Sequence, residues 1–321
     1  LASLNGLIFI FVCLVLGPIN IVVNIFVMFV LTSKKLRSTY NFVFFLMALD
    51  QTIIIGTLTI FMFRTTMFIE CKPWFFSLFW ALFDLVLNGQ VIGICKAHAT
   101  WLAVIISLMR LMSIRSHGTS ELQFNLVALL CGAVMIFVVI ANTPNFFTNM
   151  IIWIPFKDIC ESKDEITESQ IVTTTIYKII RMSSLLTGTI HIALPGLILI
   201  VLSIALLRFL RKARKERAKL VMNRSSKESN DGDRTTILLI LIIIGTMISE
   251  IPQASICLLE GLITLQMQEN ECYHAAPFVI SFMLITSASN LFIYLSMSKK
   301  FREVAKNFVC LPYRKFRKIY S

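Results

Sequence analysis

Seven long apolar stretches alternate with short polar segments along this chain of 321 residues. Each stretch is at least as long as the roughly 20 residues that a helix needs to cross the hydrocarbon core of a bilayer. Lipid cannot satisfy exposed backbone groups, and the stretches are too long for barrel strands, so the pattern predicts membrane-spanning helices. We place these spans at residues 7–32, 40–68, 79–114, 124–150, 183–209, 236–265 and 276–298, with a tail at residues 299–321.

The composition agrees with a protein that lies almost entirely in a membrane. Hydrophobic residues make up 57% of the chain and charged residues 15%, and the mean hydropathy is +0.79. Soluble domains contain about 45–50% apolar and about 25% charged residues. Because the spans and their loops use up the sequence, we expect residues 1–321 to form one seven-transmembrane domain. The chain begins at Leu1 rather than Met, so we also expect a segment to precede it.

Basic residues cluster on one side of the predicted membrane. Lys and Arg follow spans one, three, five and seven, whereas the opposite loops are rich in Asp and Glu. The positive-inside rule then predicts an extracellular N-terminus and a cytoplasmic C-terminus. The formal net charge of +12 lies mostly on the inner face, where it favours contact with anionic membrane lipid. No segment resembles a nucleic-acid-binding module, so no nucleic acid partner is expected.

Individual residues within the spans resemble those of rhodopsin-like G protein-coupled receptors. Asn24 and Asp50 match the buried polar residues of spans one and two, and Pro195 and Pro252 match the kink prolines of spans five and six. Asn290 and Tyr294 match the ends of the NPxxY motif. Longer strings are similar to the nematode serpentine receptors of class w, a branch similar to invertebrate neuropeptide receptors; they include Glu70-Cys71-Lys72-Pro73-Trp74 and Met297-Ser298-Lys299-Lys300-Phe301-Arg302. The resemblance implies an all-α membrane protein in the plasma membrane, a rhodopsin-like seven-helix bundle with a short amphipathic eighth helix.

The resemblance also implies a set of residues for G protein coupling and activation. Arg110, at the inner end of span three, would contact a heterotrimeric G protein. Asn290 and Tyr294 would take part in the switch between two arrangements of the helices. The basic run after span five would add contacts to the same partner through Arg211, Lys212 and Lys215.

A polar network is implied in the middle of the bundle. Asn24, Asp50 and Asn290 match positions that in the resembling receptors often hold a sodium ion, and this ion is the one cofactor that the resemblance suggests. An ionisable group at the centre of a span costs roughly 2.5–3.5 kcal/mol to insert. Asp50 is therefore expected to face the interior of the bundle.

The resemblance suggests two covalent features outside the spans. Leu85 stands at the usual disulfide position of span three, and the family's loop disulfide, if kept, uses Cys71 with Cys160. Cys272 is a third cysteine on the same side. Cys310 follows an amphipathic run, where receptor tails are often palmitoylated, although a plain buried thiol also fits.

Three positions depart from the resembling receptors. Met109 replaces the acid of the DRY motif, Glu250 stands at the position of the span-six tryptophan, and Leu291 replaces the proline of NPxxY. The salt bridge that would restrain Arg110 is therefore absent.

Four ionisable residues within spans three and six are candidates for the ligand pocket, namely Lys96, His98, Glu250 and Glu260. Glu250 can pair with a cationic group of the ligand. It can also pair internally, which we favour, and the candidate partners are His98, Lys96, Lys178 and Arg181.

The acidic outer loops favour a basic ligand through long-range attraction. An extracellular neuropeptide, such as an amidated peptide ending in Arg-Phe, fits this charge, and a small-molecule environmental cue is the alternative. A transporter or channel is a third interpretation, but the spans carry no succession of acids and bases and the two halves show no repeat. The sequence contains no constellation of nucleophile, acid–base or metal-binding residues, so neither an enzyme nor a metal site is expected.

Overall fold

The structure is a computed structural model that describes residues 4–36, 38–69, 78–115, 123–147, 150–155, 167–172, 185–220 and 301–308, together with single helical residues between 240 and 255. Within this part, five segments are long and apolar enough to cross a membrane. They correspond to predicted spans one to five. Most of spans six and seven lies outside the described residues.

Spans one and two pack against each other and are joined by a short turn. They are the α-helices Leu4–Leu31 and Thr39–Ile69, with the 3-10 helix Lys34–Leu36 between them. The backbone N–H of Asn41 donates to the hydroxyl of Ser38 over 3.3 Å, and the side-chain amide of Asn41 donates to the carbonyl of Leu36. These bonds satisfy backbone groups that helix ends leave free, and they close the turn.

Span three is the central helix of the described bundle and changes type in its N-terminal half. It consists of the α-helix Leu78–Phe83, the π-helix Asp84–Val91 and the α-helix Ile92–Arg115. Of the apolar stretch of span three, 61% is buried within the bundle, against 17% of the apolar stretch of span four. Span four therefore has the larger lipid-facing surface. A π segment within an α-helix is rare and often marks a functional position.

Span four is shorter than the hydrophobic pattern predicts. The α-helix Phe124–Asn142 is followed by the 3-10 helix Thr143–Phe147, whereas we placed the end of this span at residue 150. Pro144 has no N–H to donate to the carbonyl of Ile140, so the α-helical ladder stops there. The N–H of Thr143 bonds to that carbonyl instead, which tightens the last turn.

A β-hairpin follows span four, in the segment that leads to span five. Strand β1 (Met150–Pro155) pairs antiparallel with strand β2 (Thr167–Val172), and Met150 lies opposite Val172. The Leu78–Phe83 segment of span three contacts β2. The hairpin adds a small sheet to the helical architecture that the hydrophobic pattern predicts.

Span five also contains a π segment, directly before its proline. The π-helix Thr187–Ala193 leads into the α-helix Leu194–Leu220, and the N–H of Leu194 bonds to the carbonyl of Thr189. Pro195 cannot donate to the carbonyl of His191, and its ring would clash with that oxygen in a regular α-helix. The wider turn accommodates the proline without breaking the span.

The buried core joins spans one to five to described residues of span six and to the helix at residues 301–308. In this last helix Phe301, Val304 and Ala305 are buried, whereas Glu303 and Lys306 are exposed. This spacing is that of an amphipathic helix with one face on the bundle.

Candidate functional site

A buried pair of ionisable side chains joins spans two and three. Nδ1 of His98 lies 2.7 Å from Oδ2 of Asp50, and each side chain is 4% exposed. Lipid cannot solvate such groups, so they are stable within a span only when they are buried and paired. Nε2 of His98 is also buried and has no hydrogen-bond partner in the described part of the chain. The pair fixes how spans two and three face each other.

We did not predict this contact of His98 from the sequence. We assigned His98 to the ligand pocket and considered it as a partner of Glu250, whereas in the structure it contacts Asp50. Asn24, the expected network member of span one, is buried. Lys96 lies two residues before His98 and is buried as well. The described polar centre therefore includes a histidine that we did not assign to it.

A second polar cluster connects spans three, four and five through uncharged side chains. Nδ2 of Asn142 donates to Oε1 of Gln90 over 3.0 Å. Nδ2 of Asn145 donates to Oδ1 of Asn142 over 2.6 Å and lies 3.4 Å from Oγ1 of Thr187. Both Gln90 and Thr187 belong to π segments, so the two unusual helical turns meet at this cluster.

Two buried side chains, one in this cluster and one beside it, have polar atoms without a hydrogen-bond partner in the described part of the chain. His191 follows Thr187 by one turn, and neither of its ring nitrogens is hydrogen-bonded among the described residues. Nε2 of Gln90 also has no hydrogen-bond partner among the described residues. Buried polar atoms are nearly always satisfied, so these atoms are candidates for contact with a bound ligand. Gln90 carries no charge, so a prediction based on charged residues within spans does not include it, although a glutamine or asparagine within an apolar stretch also indicates a buried polar site.

A buried cation lies near the C-terminal end of span two. Arg64 is 7% exposed, and its Cζ atom lies 6.0 Å from the centroid of the Trp80 ring in span three. At this distance the guanidinium and the ring attract each other. We did not single out Arg64 from the sequence, although an arginine within a predicted span carries the same signal as Asp50.

The C-terminal end of span three, which the loop charges predict to be cytoplasmic, carries the residues expected to couple to a G protein. Arg110 is partly buried, and Met109 before it is 4% exposed. The hydroxyl of Tyr40, at the start of span two, donates to the carbonyl of Met109 over 3.2 Å. The basic residues of the span-five extension are exposed on the helix that ends at Leu220, namely Arg211, Lys212 and Lys215.

Several predicted residues lie outside the described part of the chain. They are Cys71, Cys160, Glu250, Pro252, Glu260, Cys272, Asn290, Tyr294 and Cys310. Their roles stay predictions. Within the described ranges, no group of three or more His, Cys, Asp or Glu side chains is arranged to hold a metal ion.

Comparison with known proteins identifies the family. Residues 11–312 match a protein-family model that is described as serpentine type 7TM GPCR chemoreceptor Srw. This chain belongs to the Srw family. It is also similar to the G-protein coupled receptor dmsr-1 of Caenorhabditis elegans, with 25% identity over 340 aligned residues. That alignment covers 91% of this chain and 65% of the relative, so the chain spans just under two thirds of the relative's length.

Membership in the Srw family confirms the predicted fold class and the resemblance from which it came. The chain is a multi-pass membrane protein of a receptor family, and the expectation that it is not an enzyme is confirmed on the same ground. An extracellular ligand and a G protein are the partners that such a family implies in general. The orientation of the termini stays a prediction from the loop charges.

Proposed function

We propose that this Srw receptor binds an extracellular peptide and, in response, activates a heterotrimeric G protein at the inner face of the plasma membrane. The observation that carries the proposal is the placement of three polar sites along one helix. Span three contributes Gln90 to the outer cluster, His98 to the central pair and Arg110 to the inner end. A single central element therefore touches each level of the bundle.

This placement supports a two-state mechanism. A ligand can shift a conformational equilibrium only through a difference in affinity between two states. Contacts with the nitrogens of Gln90 and His191 that have no hydrogen-bond partner among the described residues would hold spans three and five in one arrangement. A change in that arrangement alters the surface around Arg110, where the inner ends of the spans meet the cytoplasm under the predicted orientation.

The charge of the outer hairpin favours a basic peptide. Residues 156–166, which join β1 to β2, contain four acidic residues and two basic ones. Glu168 follows in β2, opposite Ile154. Under the predicted orientation this hairpin is extracellular, and its negative charge would attract a cationic peptide from a distance.

A small-molecule cue is the second candidate ligand, because the family is described as one of chemoreceptors. Both candidates can be tested in one assay. The full-length receptor is expressed with a promiscuous G protein, and intracellular calcium is measured after addition of amidated peptides in one arm and small environmental molecules in the other. A dose-dependent response to peptides supports the first candidate, and a response only to small molecules supports the second.

Substitution of Arg110 tests the coupling role in the same assay. We expect Arg110→Ala to reduce the ligand response to background while surface expression persists, because the side chain would contact the G protein rather than the ligand. Arg115→Ala is the matched control, since Arg115 ends the same helix and is exposed. A full response of Arg110→Ala receptors would contradict the proposed coupling residue.

A further inference from the structure

The contact between Asp50 and His98 contains a proton. Nδ1 and Oδ2 are 2.7 Å apart, which is the distance of a strong hydrogen bond. If neither atom carried a hydrogen, two lone pairs would face each other and repel at this separation. One proton therefore lies between the imidazole and the carboxyl group, whichever of the two binds it more tightly.

This proton compensates the buried negative charge of Asp50, as a bound cation would otherwise do. A carboxylate buried in an apolar span requires a hydrogen-bond donor or an opposite charge to be stable there. The imidazole provides a donor and, when both of its nitrogens are protonated, a positive charge as well. Both groups are almost fully buried, so water does not provide this compensation.

The described surroundings of Asp50 do not fit a sodium ion. Hard cations take several oxygen ligands. The one polar contact that the structure gives this carboxylate, within the described residues, is with a nitrogen. A hydrogen shared with Nδ1 points at Oδ2, where it would repel a cation.

We propose that His98 takes the place of the sodium ion expected at Asp50, so that the stability of this receptor does not depend on sodium. The inference concerns the resting bundle and does not depend on the proposed ligand or on G protein coupling. It is an alternative to the sodium ion that the resemblance to rhodopsin-like receptors suggested. The imidazole is part of the chain, whereas sodium exchanges with the solvent.

The test compares thermal unfolding of the purified full-length receptor in sodium chloride and in choline chloride at equal ionic strength. We expect the native receptor to unfold at the same temperature in both salts. Sodium-specific stabilisation of the native receptor that disappears in Asp50→Asn would overturn the proposal. This comparison needs no substitution of His98, so it remains decisive if a His98 variant fails to fold.

His98→Ser tests the replacement directly, because a small hydroxyl oxygen leaves room beside the carboxylate. We expect this variant to gain a sodium-specific rise in unfolding temperature of about 2–4 °C, which Asp50→Asn removes in the double variant. His191→Ser is the matched control, since His191 is a buried histidine of span five without a hydrogen-bond partner among the described residues. If the folded His98→Ser receptor has the same unfolding temperature with and without sodium, the proposal is also overturned, because Asp50 would then not be a cation site.

Discussion

Tyr40 makes a hydrogen bond beside the residue expected to couple to the G protein. Its hydroxyl donates to the carbonyl of Met109, the residue before Arg110, and so joins span two to span three at their inner ends. Met109 stands where resembling receptors have an acid that restrains the arginine. The Tyr40 bond acts on the backbone rather than on the Arg110 side chain, and it favours the arrangement in which spans two and three are close.

We therefore expect Tyr40→Phe to raise signalling in the absence of ligand. The bond contributes about 0.5–1.5 kcal/mol, so its loss changes the ratio of the two states by up to about tenfold. The measurement is the ligand-independent calcium signal, normalised to receptor at the cell surface. Thr32→Val is the control, because the Thr32 hydroxyl donates to a carbonyl of its own helix at Phe29. Unchanged basal signalling in Tyr40→Phe, with lower thermal stability, would show a structural role only.

At the scale of single residues, sequence reasoning finds the groups that are costly in lipid but not their partners. Asp50 stands out because an unpaired carboxylate is expensive in a span, and the structure buries it. His98 lies 48 positions away, and its pairing depends on how spans two and three are rotated. The hydrophobic pattern does not determine that rotation. For the same reason we considered Glu250 and not Asp50 as the partner of His98.

Spans one and two approach each other closely at a glycine. A Cβ atom added at Gly17 would overlap the side chain of Thr59. Small residues at such positions let the backbones of membrane helices come near and gain dispersion contacts. Gly56 of span two is a natural comparison, because an added Cβ there would meet no atom within 4 Å.

Gly17→Ala is expected to lower the stability of the folded receptor by about 1–3 kcal/mol, since the added methyl group forces the two helices apart. Gly56→Ala is expected to change it by no more than about 0.5 kcal/mol. Thermal unfolding of both purified variants measures the difference. Equal unfolding temperatures for the two variants would mean that the Thr59 side chain rotates away from the added methyl group at little cost. The close approach at Gly17 would then not be a stabilising contact.

At the scale of elements, the length of the apolar stretches predicts the helices well, while their irregular turns escape it. Span two is predicted at residues 40–68 and observed at Thr39–Ile69. The π segments change the hydrogen-bond pattern of the helix without changing the hydrophobicity of its residues. The hydrophobic pattern therefore does not predict them. Pro195 gives a hint for one of them, because a proline disturbs the turn before it. The hairpin is missed because nearly all of it lies between two predicted spans, where the length of apolar stretches predicts no structure.

Across the whole molecule, charge is separated along the axis of the bundle. The described inner ends carry exposed Lys34 and Lys35 after span one and the basic extension of span five. The hairpin segment after span four carries an excess of acid. This asymmetry follows from the sequence alone, because the loop charges can be counted once the spans are placed. It predicts orientation but says nothing about which side chains meet inside the bundle.

The predicted orientation can be tested with two epitope tags on the full-length receptor, one at each terminus. In intact cells, antibody is expected to bind the N-terminal tag only, and the C-terminal tag is expected to become accessible after permeabilisation. Replacing Lys34 and Lys35 by Gln removes positive charge next to the first span, which usually has the largest influence on orientation. We therefore expect part of this variant to insert the other way round. Labelling of the C-terminal tag on intact cells expressing the native receptor would refute the orientation, and with it the placement of Arg110 at the cytoplasmic face.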